Sequence, residues 1–456
     1  MGDVSSKVAE LSKNFSGRLL LPSHSEWETA RRVHNGMVDK HPALIAQCLG
    51  AADIAAAVRF AREQSLEIAV RGGGHNVSGR ATCDGGLKID LSALKYVHVE
   101  PKARTARVGG GTLWGHFNRE TQVHGLATTG GVVSTTGVAG LTLGGGLGWL
   151  TPKFGNALDN LLGVEIVLAD GRIVRAAADE NPDLFWAVRG GGGNFGVVSS
   201  FEFRLHELGP MVTGGLVAWT ADRARDTLRF FRDLAEQASD DVMLIAALMT
   251  APDGTTKIAA IAAGYFGPSA VAERVVNPIK AFGQPIVDTL GPISYEDLNT
   301  RLDASFPRGA RNYWKSRFCE ELSDAAIDAI VDCHEKCPSP MAMISIEHLH
   351  GAPTRIKPAK TAFALRAPGF NALVLSQWNS PDDDAAGILW ARETFAALKP
   401  FVGSSVYLNY LDRDDSGADA LTAAYGPNVQ RLQSIKAKYD PDNVFHLNVN
   451  IPPKTS

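Results

Sequence analysis

Apolar positions along the chain follow two textures. Near the start, Ile54, Ala57, Val58 and Ala61 recur at helical spacing behind Asp53, which predicts a helix with Asp53 as its cap. The short apolar strand Glu67–Val70 follows. Strand-like segments are predicted at Gly86–Leu91, Tyr96–Val99 and Thr105–Val108. Asp170-Gly171 then joins Val164–Ala169 to Arg172–Arg175 as a hairpin.

From about residue 207 the texture changes. Strand-like Gly214–Trp219 and helix-like Ala221–Gln237 precede strands near Met243–Thr250 and Lys257–Phe266, with helices near 268–282 and 323–337. Strands are predicted again at Met341–Leu349, Ala362–Arg366, Asn371–Trp378 and Ser404–Tyr410, interrupted by a helix across 383–398. This pattern predicts an α+β domain built on an antiparallel sheet. In the tail, Pro427 opens a helix carrying Val429, Leu432 and Ile435, and Asp440-Pro441 ends it.

A chain of 456 residues exceeds what one core usually organises, so two domains are expected. Lys plus Arg number 45 against 49 Asp plus Glu, and the net charge of -4 argues against nucleic-acid or anionic-membrane partners. The segment Met1–Ser6 has no basic region leading into an apolar stretch, and no apolar run is long enough to span a bilayer, so a cytoplasmic location is expected. Five scattered cysteines argue against a disulfide framework. Cys333 and Cys337 lack a second ligand pair, which favours structural thiols over a metal site.

The 46 glycines are concentrated in the first half, with clusters at 72–74, 109–111, 130–131, 144–148 and 191–196. Such backbone turns sharply and approaches ligands closely. Gly191-Gly192-Gly193-Asn194-Phe195-Gly196 satisfies G-x-G-x-x-G, but a strand-like run follows where a dinucleotide fold needs a helix. The phosphate loop G-x-x-x-x-G-K-[ST], H-E-x-x-H and G-x-S-x-G are all missing. What remains is a set of glycine loops able to hold a large anion, Arg71 as a permanent charge, and His75 in a loop leaving a strand. On these residues alone, His75 reads more readily as a loop histidine with an ordinary hydrogen bond.

Taken together, several segments resemble the FAD-linked oxidases of the vanillyl-alcohol oxidase and p-cresol methylhydroxylase superfamily, in its berberine-bridge-enzyme-like branch. They are Arg71-Gly72-Gly73-Gly74-His75-Asn76, Ile89-Asp90-Leu91, Gly137-Val138-Ala139-Gly140, Gly144-Gly145-Gly146-Leu147-Gly148 and Asp159-Asn160. Leu184-Phe185-Trp186-Ala187-Val188-Arg189-Gly190, Asn194-Phe195-Gly196-Val197-Val198, Tyr439-Asp440-Pro441-Asp442-Asn443-Val444-Phe445 and Asn448-Val449-Asn450-Ile451 extend the likeness across nearly the whole chain.

The resemblance implies a two-domain α+β fold of the p-cresol methylhydroxylase type. Residues 1–206 would bind FAD, 207–410 would form the substrate domain, and 411–456 would complete the flavin domain. It implies a covalent bond from His75 to the 8α-methyl carbon of the flavin. Many relatives add a second bond from a cysteine, but Val133 stands there in Val133-Ser134-Thr135-Thr136-Gly137-Val138-Ala139-Gly140, so a single linkage is expected. Val449 replaces a frequent glutamine.

By the same resemblance, FAD contacts fall on Arg71, Gly72, Gly73, Gly74, Asn76, Gly79, Gly130, Thr135, Thr136, Gly137, Gly140, Gly145, Gly146 and Gly148. Asn160, Gly196, Val197, Val198, Asn448 and Asn450 complete the set. The implied reaction takes hydride from a carbon bearing OH or NH in a small organic substrate, with molecular oxygen reduced to hydrogen peroxide. A dehydrogenase with another acceptor and a flavin-binding protein without turnover are the alternatives.

Tyr407 and Asn409 alternate to one face of the expected strand, in a segment that resembles the family's active-site Y-x-N-Y, and are the first choice for the base that assists hydride loss. Glu347, Gln377 and Trp378 follow. Each has a plainer reading: a core tyrosine with a satisfied hydroxyl, a solvent-facing glutamate, a packing tryptophan. Substrate identity and oligomeric state are not indicated.

Overall fold

The computed structural model describes residues 2–454. Met1, on which the reading of the N-terminal segment begins, lies outside them.

Two sheets organise the first half. In one, Arg18–Leu20 pairs antiparallel with Leu44–Gln47, which runs parallel to Leu87–Asp90 and through it to Ile68–Arg71. The other is antiparallel, in the order Val97–Glu100, Thr105–Gly109, Val197–Arg204, Leu161–Val167, Ile173–Ala177. The last two strands flank Asp170-Gly171, where Gly171 takes φ +80°, a hairpin turn that an L side chain resists. Val197–Arg204 follows Gly191–Gly196 directly, so the G-x-G-x-x-G run does not open a helix.

The C-terminal tail returns to this half. Tyr425, Leu432, Ile435, Tyr439 and Ile451 share one buried cluster with Phe185, Trp186 and Phe195. Lys436 is fully buried, and its ammonium donates to the Asn194 and Phe445 carbonyls and to Asp440.

The middle of the chain forms an eight-stranded antiparallel sheet. Its order is Val287–Asp288, Met211–Thr220, Lys257–Tyr265, Val242–Thr250, Met343–Leu349, Gly369–Trp378, Arg311–Cys319, with Gly291–Ser294 also pairing with Met211–Thr220. Successive side chains alternate across it. Leu244, Ala246, Leu248, Ile344, Ile346 and Val374 pack in one buried cluster with Leu228 and Phe231 of helix Ala224–Gln237, Ile327 and Ile330 of helix Asp324–Glu335, and Trp390 of helix Asp384–Leu398. The intervening residues point to the opposite face, and that face matters for the site.

Several expectations fail for local reasons. Asp53 is the third residue of helix Ala51–Glu63 rather than its cap, and its carboxylate accepts from Leu49 N and Ser16 N. Ala362–Arg366 is not a strand, because Ala362 N and Phe363 N donate to Trp186 O and Arg189 O. Ser404–Tyr410 is not one either: its hydrogen bonds go separately to Phe318 and Ala423, and Leu408–Tyr410 closes as a 3₁₀ turn. Conversely, Arg311–Cys319, not expected as a strand, closes one edge of the large sheet and pairs along its whole length with Gly369–Trp378. Its buried Lys315, paired with Asp415 at 3.0 Å, breaks the apolar pattern that would have announced it.

Candidate active site

Between the glycine loops and the free face of the large sheet lies a cavity of about 300 Å³. One wall is almost bare backbone. Gly72, Gly73, Gly74, His75 and Asn76 leave strand Ile68–Arg71 along it, joined by Thr136, Gly137, Gly140, Gly192, Gly193, Gly196, Val197, Val198 and Asn448. These close approaches require glycine: a Cβ on Gly73 would lie 2.6 Å from Gly137 Cα, and one on Gly196 would lie 2.4 Å from Val167 O. At Gly140, by contrast, a Cβ would meet nothing within 4 Å.

His75 sits in this wall with its ring stacked on His34, centroids 4.0 Å apart and planes 19° from parallel. The loop is pinned there, since His34 N donates to Gly74 O at 2.9 Å. Burial, with His34 adjacent, pulls the His75 pKa down to about 3, so the ring is neutral near neutral pH and keeps a lone pair. Its Nε2 is buried without a hydrogen-bond partner.

The remaining expected flavin contacts sit behind the wall rather than in it. Arg71 turns to the buried Asp90 at 3.3 Å, so its charge is already paired. The cation that lines the cavity is Arg80, which sequence reasoning missed and which the Asp412 and Asp415 carbonyls hold in place. Gly79 packs on Val38, and Gly130 on Trp114 and Gly148. Gly145 and Gly146 back onto Tyr407 and Ala157. Thr135 is exposed. Asn160 bonds the Phe154 and Asn156 carbonyls and His206, while Asn450 is absent from the lining.

The opposite wall is the sheet. Alternation sends Ile245, Ala247 and Met249, then Met343, Ser345 and Glu347, and finally Leu373 and Leu375 into the cavity. Tyr410 lines it too and donates to Glu347 Oε1 at 2.8 Å, while Asn371 Nδ2 donates to Glu347 Oε2 at 2.9 Å. Burial raises the Glu347 pKa above the ordinary carboxyl value, and burial beside Glu347 holds Tyr410 well above the ordinary phenol value. Trp314 meets the Tyr410 ring edge-on at 6.1 Å. Tyr410, Asn371 and Trp314 were not singled out in the sequence, although Tyr410 ends the quoted Y-x-N-Y segment.

The other candidates separate. Asn409 lines the cavity, but Tyr407 is 1 % exposed and faces away, its hydroxyl accepting from Gly146 N, Leu147 N and Asn409 Nδ2. They meet through this hydrogen bond, not by strand alternation. Burial pushes the Tyr407 pKa up to about 12. Gln377 is spent on Ser305 O at the cavity edge. Trp378 points to the helix side and donates to Asp384. Among the described residues no His, Cys, Asp or Glu cluster could hold a metal, and no helix is long and apolar enough to cross a membrane.

Backbone amides, one held cation, a neutral histidine and valine and leucine side chains in one wall suit a flat, anionic redox cofactor, opposite a sheet with one proton-accepting pair. That combination defines a cofactor-dependent oxidoreductase. The chain matches the models for an FAD binding domain over residues 42–177 and for berberine and berberine-like proteins over 406–452. It is 33 % identical to (R)-6-hydroxynicotine oxidase of Paenarthrobacter nicotinovorans, across 99 % of this chain and 100 % of that protein. The crystal structure of 6-hydroxy-D-nicotine oxidase from Arthrobacter nicotinovorans superposes with a TM-score of 0.89 at 32 % identity, covering 96 % of this chain and 98 % of that one. Glucooligosaccharide oxidase of Acremonium strictum, described as carrying 6-S-cysteinyl, 8α-N1-histidyl FAD, superposes at 0.88 with 27 % identity, covering 99 % and 100 %. The chain belongs to the berberine-bridge-enzyme-like family of FAD-linked oxidoreductases.

Proposed function

We propose that this enzyme carries FAD on a single covalent bond from His75 and works as an oxidase of a small organic substrate, with molecular oxygen as acceptor. The observation that carries the reading is the neutral His75 ring, fixed against His34 in the glycine wall with an unpartnered Nε2. Among the described residues no cysteine lines the cavity and Val133 does, which supports one tether rather than two. Bound FAD would supply hydride acceptance and electron transfer to oxygen.

The protein's own part is to hold and deprotonate. The backbone of residues 72–74, 137, 192–193 and 196, with Arg80 and Asn448, would hold the cofactor. Glu347 takes the proton from the substrate heteroatom as hydride leaves the adjoining carbon, and Tyr410 keeps its carboxylate in place. Residues 1–206 and 411–456 would form the flavin-binding domain and 207–410 the substrate domain, a division supported by the shared cluster of tail and first half. Five free cysteines suit a reducing, cytoplasmic setting.

Acid precipitation tests the linkage. Yellow colour should stay with the wild-type pellet and leave with the supernatant of His75→Ala; colour released wholly from the wild type would sink covalent attachment. Anaerobic reduction followed by stopped-flow mixing with oxygen tests the acceptor. Very slow reoxidation would point to a dehydrogenase.

A further inference from the structure

Resting on that reading and narrowing it, we propose that the cavity takes a compact apolar amine in its cationic form, and excludes sugars. Two independent features of the sheet wall carry this.

The first is what the wall lacks. Among the sheet residues lining the cavity, only Ser345 and Glu347 offer a free polar side chain; Leu216, Ile245, Met249, Met343, Leu373 and Leu375 typify the rest. Trp314 already spends its indole N–H on Asn312 Oδ1. A saccharide ring brings several hydroxyls, each of which loses water on entry and must find a partner. This wall leaves most of them unpaired, so a sugar is rejected by desolvation rather than by size.

The second is what Glu347 lacks. Its carboxylate is 5 % exposed, and both of its hydrogen-bond partners, Tyr410 and Asn371, are neutral. Among the described residues it forms no ion pair with any lysine, arginine or histidine, and its strand neighbour His348 stacks on Phe370 across the sheet. A buried carboxylate without a counter-ion is costly, and a cationic ligand relieves that cost where a neutral alcohol of the same shape does not. Tyr410 and Asn371 leave lone pairs on both oxygens for one further N–H donor.

The chemistry closes on this ligand. Glu347 takes the ammonium proton to give the free amine. Loss of hydride from the adjoining carbon then breaks one C–H bond and leaves an iminium, C=N⁺. Bound FAD would supply acceptance of that hydride with its two electrons, and oxygen, taking the electrons, the hydrogen and the proton held on Glu347, would leave as hydrogen peroxide.

Anaerobic titration of the holoenzyme, read by the flavin difference spectrum, tests the proposal with three probes: 1-phenylethylamine, 1-phenylethanol and cellobiose. The amine should bind at least about tenfold more tightly than the isosteric alcohol, with no perturbation by cellobiose. In Glu347→Gln the ratio of amine to alcohol affinity should fall to within about threefold. An alcohol or cellobiose that binds as tightly as the amine overturns the proposal, and so does an unchanged preference in Glu347→Gln. Should that variant lose its flavin, the wild-type ranking alone decides. Failure of the oxidoreductase reading looks different: the amine preference persists in binding, but no probe ever bleaches the flavin.

Discussion

The Tyr410 hydroxyl donates to Glu347 Oε1 at 2.8 Å while Asn371 holds the other carboxylate oxygen, and both Tyr410 and Glu347 reach the cavity. If this carboxylate accepts the substrate proton, Glu347→Gln should lower the rate of flavin reduction by roughly 10²- to 10⁴-fold, the usual worth of a positioned base. Glutamine keeps the volume and can still meet Asn371 and Tyr410, so covalent flavin content should not change. Rapid-reaction kinetics alongside a protein-bound flavin spectrum separates the two effects. An unchanged reduction rate would remove Glu347 from the chemistry.

The same substitution should act in the opposite direction on stability. Burial raises the Glu347 pKa above its ordinary 4.5, so ionising it costs more in the folded chain than in the unfolded one. Below that ordinary value both states are protonated and the penalty is absent; it grows as pH rises through the folded pKa. Glu347→Gln should therefore melt above the wild type near neutral pH, with the gap closing as pH falls toward about 4.5. Thermal melts at a series of pH values check this.

Tyr407, the first choice of base from sequence, is expected to behave as a structural residue. Its hydroxyl takes two backbone N–H groups and the Asn409 amide, and it is absent from the cavity lining. Tyr407→Phe strands buried donors, which costs about 1–3 kcal/mol each where no other partner replaces it. A lower melting temperature with an unaltered pH profile of flavin reduction is the expected result. Loss of the limb in which the rate rises with pH, as a base ionises, would restore Tyr407 as the base.

These contrasts explain what was legible. The glycine wall and His75 could be found because their chemistry is local: a strand runs into a loop that only glycine can follow, and the histidine is part of that loop. The sheet was legible wherever one face is apolar and the other is not. Arg311–Cys319 escaped because Lys315 and Asn312 are buried by partners more than 90 residues away in one case and more than 270 in the other. The Tyr410–Glu347–Asn371 chain escaped for a related reason. Glu347 and Asn371 sit opposite one another on adjacent strands, a register set by pairing and not by spacing, and Tyr410 arrives on a 3₁₀ turn whose period differs from a strand's. Arg71 is drawn from the cavity by the buried carboxylate of Asp90, which comes from the neighbouring parallel strand, whereas Arg80 is held by the Asp412 and Asp415 carbonyls and lines it.

The stack of His75 on His34 should matter before any turnover occurs. Ring centroids 4.0 Å apart fix the imidazole that is to carry the flavin, and an aromatic pair of this kind is worth about 0.5–1.5 kcal/mol. His34→Leu removes the stack while leaving the Gly74 carbonyl its backbone donor, so the loop should persist with a freer ring. Intact-mass analysis is expected to show a mixture of flavinylated and bare chains where the wild type is uniform. Complete flavinylation at the wild-type rate would reduce His34 to packing.

Lys436 offers the test of how the tail reaches the site. Its buried ammonium joins Asn194 O, Phe445 O and Asp440, and Asn194 in turn bonds Val449 O and Ile451 N, beside the cavity residue Asn448. Lys436→Met leaves Asp440 charged and buried with its cation gone, which costs about 3–5 kcal/mol. Asp440 still accepts from Val444 N and Phe445 N, so the turn itself has partners left. The loss should therefore fall first on the contact between the tail and the Gly191–Gly196 loop, read as faster proteolysis near the C-terminus and weaker retention of FAD in a His75→Ala background. Adding Asp440→Leu to Lys436→Met removes the stranded charge as well, and should recover part of the stability without restoring flavin retention.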